Sequence, residues 1–207
     1  MPDSKGDTVA GSQAKEKKTK ILEVALRLFN DIGYHETTLD EVAKQADIAK
    51  GTLYLYFKSK DDLFIQCMFD GSEKAMTRAR EIIGGPDGIR DRLRKLVQLQ
   101  IDMFTRNGPM IQQFILRKRA TGHDSALARR MMKKMRERLE FFAVFFKEGI
   151  ESGEFSDNLS PMQMAIIFHQ VFDLNMKFQL FDVPTLTADR CSDVLLSLFS
   201  SGKRPKK

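Results

Sequence analysis

The run Lys50-Gly51-Thr52-Leu53-Tyr54-Leu55-Tyr56-Phe57 carries the residue types that hold nucleic acid, at a spacing that lets them act together. Lys50 and Thr52 can donate to base edges or phosphates, and Gly51 lets the backbone come close. Tyr54 and Tyr56 bring hydroxyls that suit phosphate oxygens, while Leu53 and Phe57 fall where a helix would turn them inward. Upstream, Thr38-Leu39-Asp40-Glu41 reads as a capping box that opens a short helix to Ala46, and Asp47-Ile48 breaks it. Two short helices joined by a tight turn have the proportions of a helix-turn-helix, whose second helix offers its first residues to the major groove. The same proportions also fit a plain helical hairpin.

Catalytic chemistry has no comparable constellation. His35, His123 and His169 are far apart and lack metal-ligand spacing with cysteines or acids. Nucleophile-elbow, P-loop and dinucleotide fingerprints do not occur, and the loop Gly84-Gly85-Pro86-Asp87-Gly88 lacks the P-loop Lys-Ser/Thr. Asn158-Leu159-Ser160 resembles a glycosylation acceptor, which carries no meaning in a cytoplasmic chain. Cys67 and Cys191 are too few for a disulfide framework or a four-cysteine zinc site, and read as small core residues. The expectation is a non-enzymatic protein with no cofactor and no metal.

With 207 residues, 42% hydrophobic and 30% charged, the chain has the balance of a folded globular protein. Its longest apolar run, Phe141 to Phe146, is far short of the ~18 residues a membrane span needs. The polar, Lys-rich first twenty residues do not resemble a signal peptide, so a reduced, cytoplasmic protein is expected. The net charge of +6 is unevenly spread. Residues 1–65 hold 10 Lys+Arg against 11 Asp+Glu, and residues 66–140 hold 17 against 9. Locally, however, Lys50, Lys58 and Lys60 outweigh Asp47 along the reading helix, and Lys15, Lys17, Lys18 and Lys20 precede the first helix. Those four can meet phosphate or remain a solvated tail. So few net charges predict a modest salt dependence.

The elements that must position these residues are helical throughout. Ile21, Leu22, Ala25, Leu28 and Phe29 follow the helical period, and Gly33 closes that helix. After the two short helices, Ser59-Lys60-Asp61-Asp62 caps a long helix to about Ile83. Beyond the glycine-rich loop the period predicts helices at 88–106, 109–119, 124–152, 161–181 and 187–200, nine in all. Pro109 and Pro161 are assigned to first turns, and Ser160-Pro161-Met162-Gln163 to another capping box. Residues 1–14 are expected to form a disordered arm, 15–60 a helix-turn-helix domain, 61–200 a larger helical domain and 201–207 a disordered tail.

The run from Lys20 to Phe64, KILEVALRLFNDIGYHETTLDEVAKQADIAKGTLYLYFKSKDDLF, resembles the N-terminal domain of TetR-type transcriptional regulators. Ala25, Phe29, Gly33, Thr37-Thr38, Ala43, Ala46, Lys50-Gly51, Leu53-Tyr54, Tyr56-Phe57, Lys60 and Leu63 fill its characteristic positions, and chain length and nine-helix plan agree. The resemblance implies an all-α fold and double-stranded DNA, as a palindromic operator, for a partner. Thr38 would cap the first short helix and set its amides against a phosphate, and Lys50, Gly51, Thr52 and Tyr54 would face the groove. Tyr56 and Lys60 would reach backbone phosphates. Two departures stand out. Asp47 replaces the usual glycine of the turn, and Ala49 replaces the usual Ser or Thr cap.

The resemblance further implies a homodimer and a hydrophobic effector bound in the larger domain, with no membrane involved. Along 124–152, Ala128, Met132, Met135, Leu139, Phe142 and Phe146 form an apolar stripe, and Phe141 and Phe145 add a second side. Sixteen Phe and 11 Met suit an adaptable cavity, for which Phe104, Met110, Phe114, Met135, Phe142, Phe146 and Phe172 are the candidates. The cationic cluster of Arg117-Lys118-Arg119 and Arg129 to Arg138 reads as a solvated face or as an entrance for an anionic, fatty-acid-like head group. Phe168, Met176, Leu195, Leu198 and Phe199 are the dimer candidates, with His169 packed among them. Two other readings stay open: an architectural or protein-controlled DNA-binding factor without a ligand, and a peripheral membrane protein using the basic face.

Overall fold

The computed structural model describes residues 6–121 and 125–200, and every regular element in them is a helix. Eight occur among the described residues: α1 Gly6–Asp31, α2 Leu39–Gln45, α3 Lys50–Tyr56, α4 Lys60–Ile83, α5 Ile89–Thr121, α6 Ser125–Glu151, α7 Pro161–Leu180 and α8 Ala188–Phe199. The expected helices at 88–106 and 109–119 are one, α5, which continues through Pro109. Proline removes one ladder hydrogen bond and disfavours a helix interior, but the apolar period on both sides keeps the helix going. No described helix is long and apolar enough to cross a membrane.

The chain divides into two compact units: residues 1–74 with 109–114, and residues 75–108 with 115–207. The expected boundary after residue 60 therefore moves. Leu63, Phe64 and Cys67 of α4 are buried in the first unit's core with Ile21, Ala25, Phe29, Tyr34, Leu53 and Phe57. A three-helix domain this small cannot bury its own apolar faces, and the first half of α4 supplies the cover. The N-terminal arm also differs from expectation, because α1 already begins at Gly6. Residues 12–17 are exposed, so this stretch is helical by local preference: Ala14, Lys15, Glu16 and Lys17 are strong helix formers. Residues 1–5 and the tail 201–207 lie outside the described residues.

The second unit is organised around phenylalanine rings. Phe146 lies within 5.3–6.0 Å, centroid to centroid, of Phe145, Phe155, Phe168 and Phe199. Leu93, Leu96 and Val97 of α5, Met164 and Ala165 of α7, and Leu195 and Leu196 of α8 complete that core. Arg92, 8% exposed, ties it at one end, donating to the Ile83 carbonyl at 2.6 Å and to Glu148 at 2.5 and 3.2 Å. Ser160 and Gln163 form the full reciprocal capping box at the start of α7.

Candidate nucleic-acid interface

Local chemistry fixes the path from α1 to α4. Gly33, at φ +91°, ends α1 in the left-handed region where glycine carries no Cβ penalty. Tyr34 then turns inward, stacking in a triad with Phe29 and Phe64 at 5.1–5.7 Å, and its hydroxyl donates to Asp61. Buried Thr37 closes the loop by donating from Oγ1 to the Gly33 carbonyl at 2.8 Å. Thr38, exposed, caps α2 by accepting from the Glu41 amide at 3.1 Å, the first half of the expected box.

The turn between α2 and α3 bears the marks of both departures. Asp47 takes φ +59°, the left-handed geometry that Asp tolerates better than most residues. The Asp47 and Ile48 amides still pair, with the carbonyls of Lys44 at 3.2 Å and Ala43 at 3.0 Å. Ala49 sits at the N-cap of α3 with no side chain to cap it. Leu53 and Phe57 are fully buried, which rotates the opposite side of α3 outward. Gly51 is exposed with nothing within 4 Å of where a Cβ would stand, Tyr54 is 48% exposed, and Thr52 and Tyr56 are half-buried. The groove-facing candidates therefore share one accessible surface. Leu55, at 84% exposure, lies on it too and was not singled out by residue type, although a helical step of 200° from inward Leu53 places it outside.

Electrostatics sort the lysines. Lys50 Nζ lies 2.6 Å from Asp40 Oδ1, and that hydrogen bond, then Asp40's charge, raise its pKa; both partners are solvent-exposed. A phosphate would compete with Asp40 for this ammonium. Lys18 stands 5.9 Å from the centre of the Phe57 ring, whereas Lys15, Lys17 and Lys20 are exposed. Lys60 differs from expectation. Its ammonium donates to the carbonyls of His35 at 2.9 Å and Thr37 at 2.8 Å and covers the Tyr34 ring at 4.7 Å. This geometry makes it a brace for the loop that delivers Thr38.

In the second unit the candidates separate. Phe142 and Phe146 are buried in the ring cluster, Phe142 against Phe141 at 5.2 Å and Phe168 at 4.9 Å. Phe146 has rings around it from four neighbours, which places it in the core. Met135 is half-buried. The side chains of Phe104, Met110, Phe114, Phe172 and Met176, and those of Arg117, Lys118 and Arg119, lie outside the described residues.

The dimer candidates divide, with Leu198 exposed and the other described ones buried. Phe168, Leu195 and Phe199 are buried within their own subunit, because the most apolar face of each helix goes to the subunit core. Leu198 lies with Ile166, Leu174 and Val194 on the exposed apolar face of α7 and α8, and a 220 Å³ groove lined partly by Ile167, Leu174, Val194 and Leu198 runs along it. His169 is half-buried, with Nδ1 buried and unpaired. Burial, then the charge of Arg138 on α6, lower its pKa against an opposing pull from Asp173, so it answers to α6 and to its own helix.

The helix-turn-helix geometry has a match among known proteins. The family described as bacterial regulatory proteins, tetR family, matches residues 21–67, the stretch from the start of the first unit's core to Cys67. Over this stretch the chain carries a TetR-family N-terminal domain. A fatty acid metabolism regulator protein of Bacillus subtilis is 26% identical over 197 residues, 92% of this chain and 97% of its own. The structure of a TetR/AcrR-family transcriptional regulator from Thermobifida fusca superposes with a TM-score of 0.67 at 25% identity, covering 91% and 99% of the two chains. FadR of Bacillus subtilis, solved in complex with stearoyl-CoA, shares the fold at a TM-score of 0.66 and 22% identity, over 89% and 98%. With a TetR-family N-terminal domain the chain is a DNA-binding transcriptional regulator, and its relatives are regulators, not enzymes.

Proposed function

We propose that this chain is a homodimeric repressor that a hydrophobic effector releases from a palindromic operator. The observation that carries the DNA half of this reading is the accessible surface of α3. Lys50, Gly51, Thr52, Tyr54 and Tyr56 line it, the inward anchors Leu53 and Phe57 hold it, and the capped start of α2 at Thr38 flanks it. In a dimer the two copies of α3 would enter successive major grooves about 34–36 Å apart. The exposed apolar face of α7 and α8, containing Leu174, Val194 and Leu198, is the surface we assign to the second subunit.

The effector half rests on composition and kinship. Met135 and its neighbours on α6 lie in a Phe- and Met-rich unit, and the Bacillus subtilis relative is named for fatty acid metabolism. We assign the effector to the long-chain acyl class, with the basic residues Arg129 to Arg138 of α6 toward its anionic end. An effector can release DNA only through its differential affinity for the two conformers, and α4, whose residues are divided between the two units, is one covalent connection through which that preference passes.

The test has two arms. Tyr54→Ala abolishes binding to operator duplexes recovered from a randomised pool by the wild-type chain, while sedimentation shows the dimer intact; unchanged binding would overturn the α3 assignment. Native mass spectrometry of the purified chain, with palmitate and palmitoyl-CoA added in turn, shows a dimer gaining the mass of one of them. A dimer that gains neither, with no thermal shift, overturns the acyl effector and leaves the DNA arm standing.

A further inference from the structure

Leu55 is the most exposed large hydrophobic residue among those described, at 84%. A scattered apolar residue on a surface needs no explanation. The setting of this one does call for one, because its neighbours on the accessible side of α3 are Gly51, Tyr54 and, just past the helix, Lys58. The other leucine of α3, Leu53, and Phe57 just past the helix are used inward and fully buried. The Leu55 isobutyl group has neither donor nor acceptor, so it can read nothing by hydrogen bonding. Among the groups that base pairs present in the major groove, only the thymine C5-methyl is apolar. Gly51 and Leu55 are four residues apart on one face, about 6 Å along the axis, or on the order of two base-pair rises. Exposed Lys58, three residues on, adds positive charge on the same stretch, which favours a duplex over an apolar protein partner.

We propose that Leu55 reads a thymine methyl in each operator half-site and so sets sequence preference at that position. The proposal rests on the DNA-binding reading of α3 and adds a base identity to it. An apolar contact of this kind removes two faces from water together, and its loss weakens binding about three- to fivefold per half-site.

The experiment begins with the duplex that the full wild-type chain enriches from a randomised pool, and replaces each dT with deoxyuridine in turn, which deletes only the methyl. The expected result is one symmetry-related dT whose replacement costs the wild type about three- to fivefold. Leu55→Ala weakens binding to the unmodified duplex by a similar factor and is indifferent to deoxyuridine at that position. Leu55→Met, which keeps an apolar side chain of similar reach, retains sensitivity to the methyl. Because Leu55 is so exposed, all three proteins melt at the same temperature. The proposal is overturned if Leu55→Ala keeps the wild-type deoxyuridine profile, or if the enriched half-site contains no thymine. Failure to enrich any duplex would overturn the DNA-binding reading itself, and the Leu55 assignment with it.

Discussion

Lys60 offers two incompatible jobs, and replacing it with methionine separates them. The family resemblance puts its ammonium on a DNA phosphate, while the structure puts it on the carbonyls of His35 and Thr37 and over the Tyr34 ring. Lys60→Met keeps the stem and removes the charge. A hydrogen bond from a charged donor contributes about 1.5–3 kcal/mol, and an exposed cation–π contact about 0.5–1 kcal/mol. The bond to His35 is exposed and the bond to Thr37 part-buried, so screening brings the whole set toward its lower end, about 2 kcal/mol. For a chain of this size that corresponds to a melting temperature lower by about 4–8 °C. Affinity should fall as well, because the 35–37 loop that presents Thr38 loses its brace. The number of phosphates neutralised would not change, so the slope of log affinity against log salt should stay as in the wild type. A phosphate ligand behaves in the opposite way: the melting temperature is unmoved and the slope falls by about 0.9 per subunit. Calorimetric melting with operator titrations at several salt concentrations reads both quantities. An unmoved melting temperature together with the smaller slope would refute the bracing role.

Three further outcomes follow from local geometry. Gly149→Ala, which in an open helix stabilises by about 1 kcal/mol, should here destabilise by about 1–2 kcal/mol in a thermal melt. The new Cβ would stand 2.5 Å from Phe155 Cε2 and closer still to Cδ2, and that ring is held by Phe145, Phe146 and Phe199. A stabilised variant would mean that the ring can move. Ala49→Ser should supply the cap α3 lacks, at a position already extended with φ −65° and ψ 143°, and raise the urea midpoint by an amount worth about 0.5–1 kcal/mol with no change in m. An unmoved midpoint would show that the N-terminal amides of α3 are already satisfied. Burial pushes the Cys67 thiol up to about 12, and its Sγ lies 3.5 Å from the Leu22 carbonyl; Cys191 is also buried and raised. Neither thiol should react with a disulfide reagent at pH 8 until guanidinium unfolds the chain, and a rapid thiol in the native protein would contradict their burial.

What could be read from sequence follows a physical division. Elements fixed by neighbours in the chain were legible: the Thr38 and Ser160 caps, the uncapped Ala49 and the inward Leu53 and Phe57 all depend on contacts within a turn or two. The path of Lys60 to carbonyls 25 and 23 residues away has no local signature, since nothing near it in sequence differs between a brace and a phosphate ligand. The dimer candidates were divided between core and surface for a different reason. Apolar residues surround α7 on nearly all sides, so a 3.6-residue period carries no phase: Ala165 and Phe168 are buried while Ile166 and Leu174 beside them are exposed. In α8 Cys191, Val194, Leu195 and Leu198 follow one i, i+3, i+4, i+7 stripe and line the same groove, yet periodicity does not say that the subunit buries Cys191 and Leu195 and leaves Val194 and Leu198 exposed at its edge. The subunit core forms with no loss of translational freedom, whereas a partner face must offset that cost from what remains. The larger, more regular apolar face is therefore claimed first by the subunit. In a chain of this kind the second-best stripe of its last two helices is the one to test as an interface.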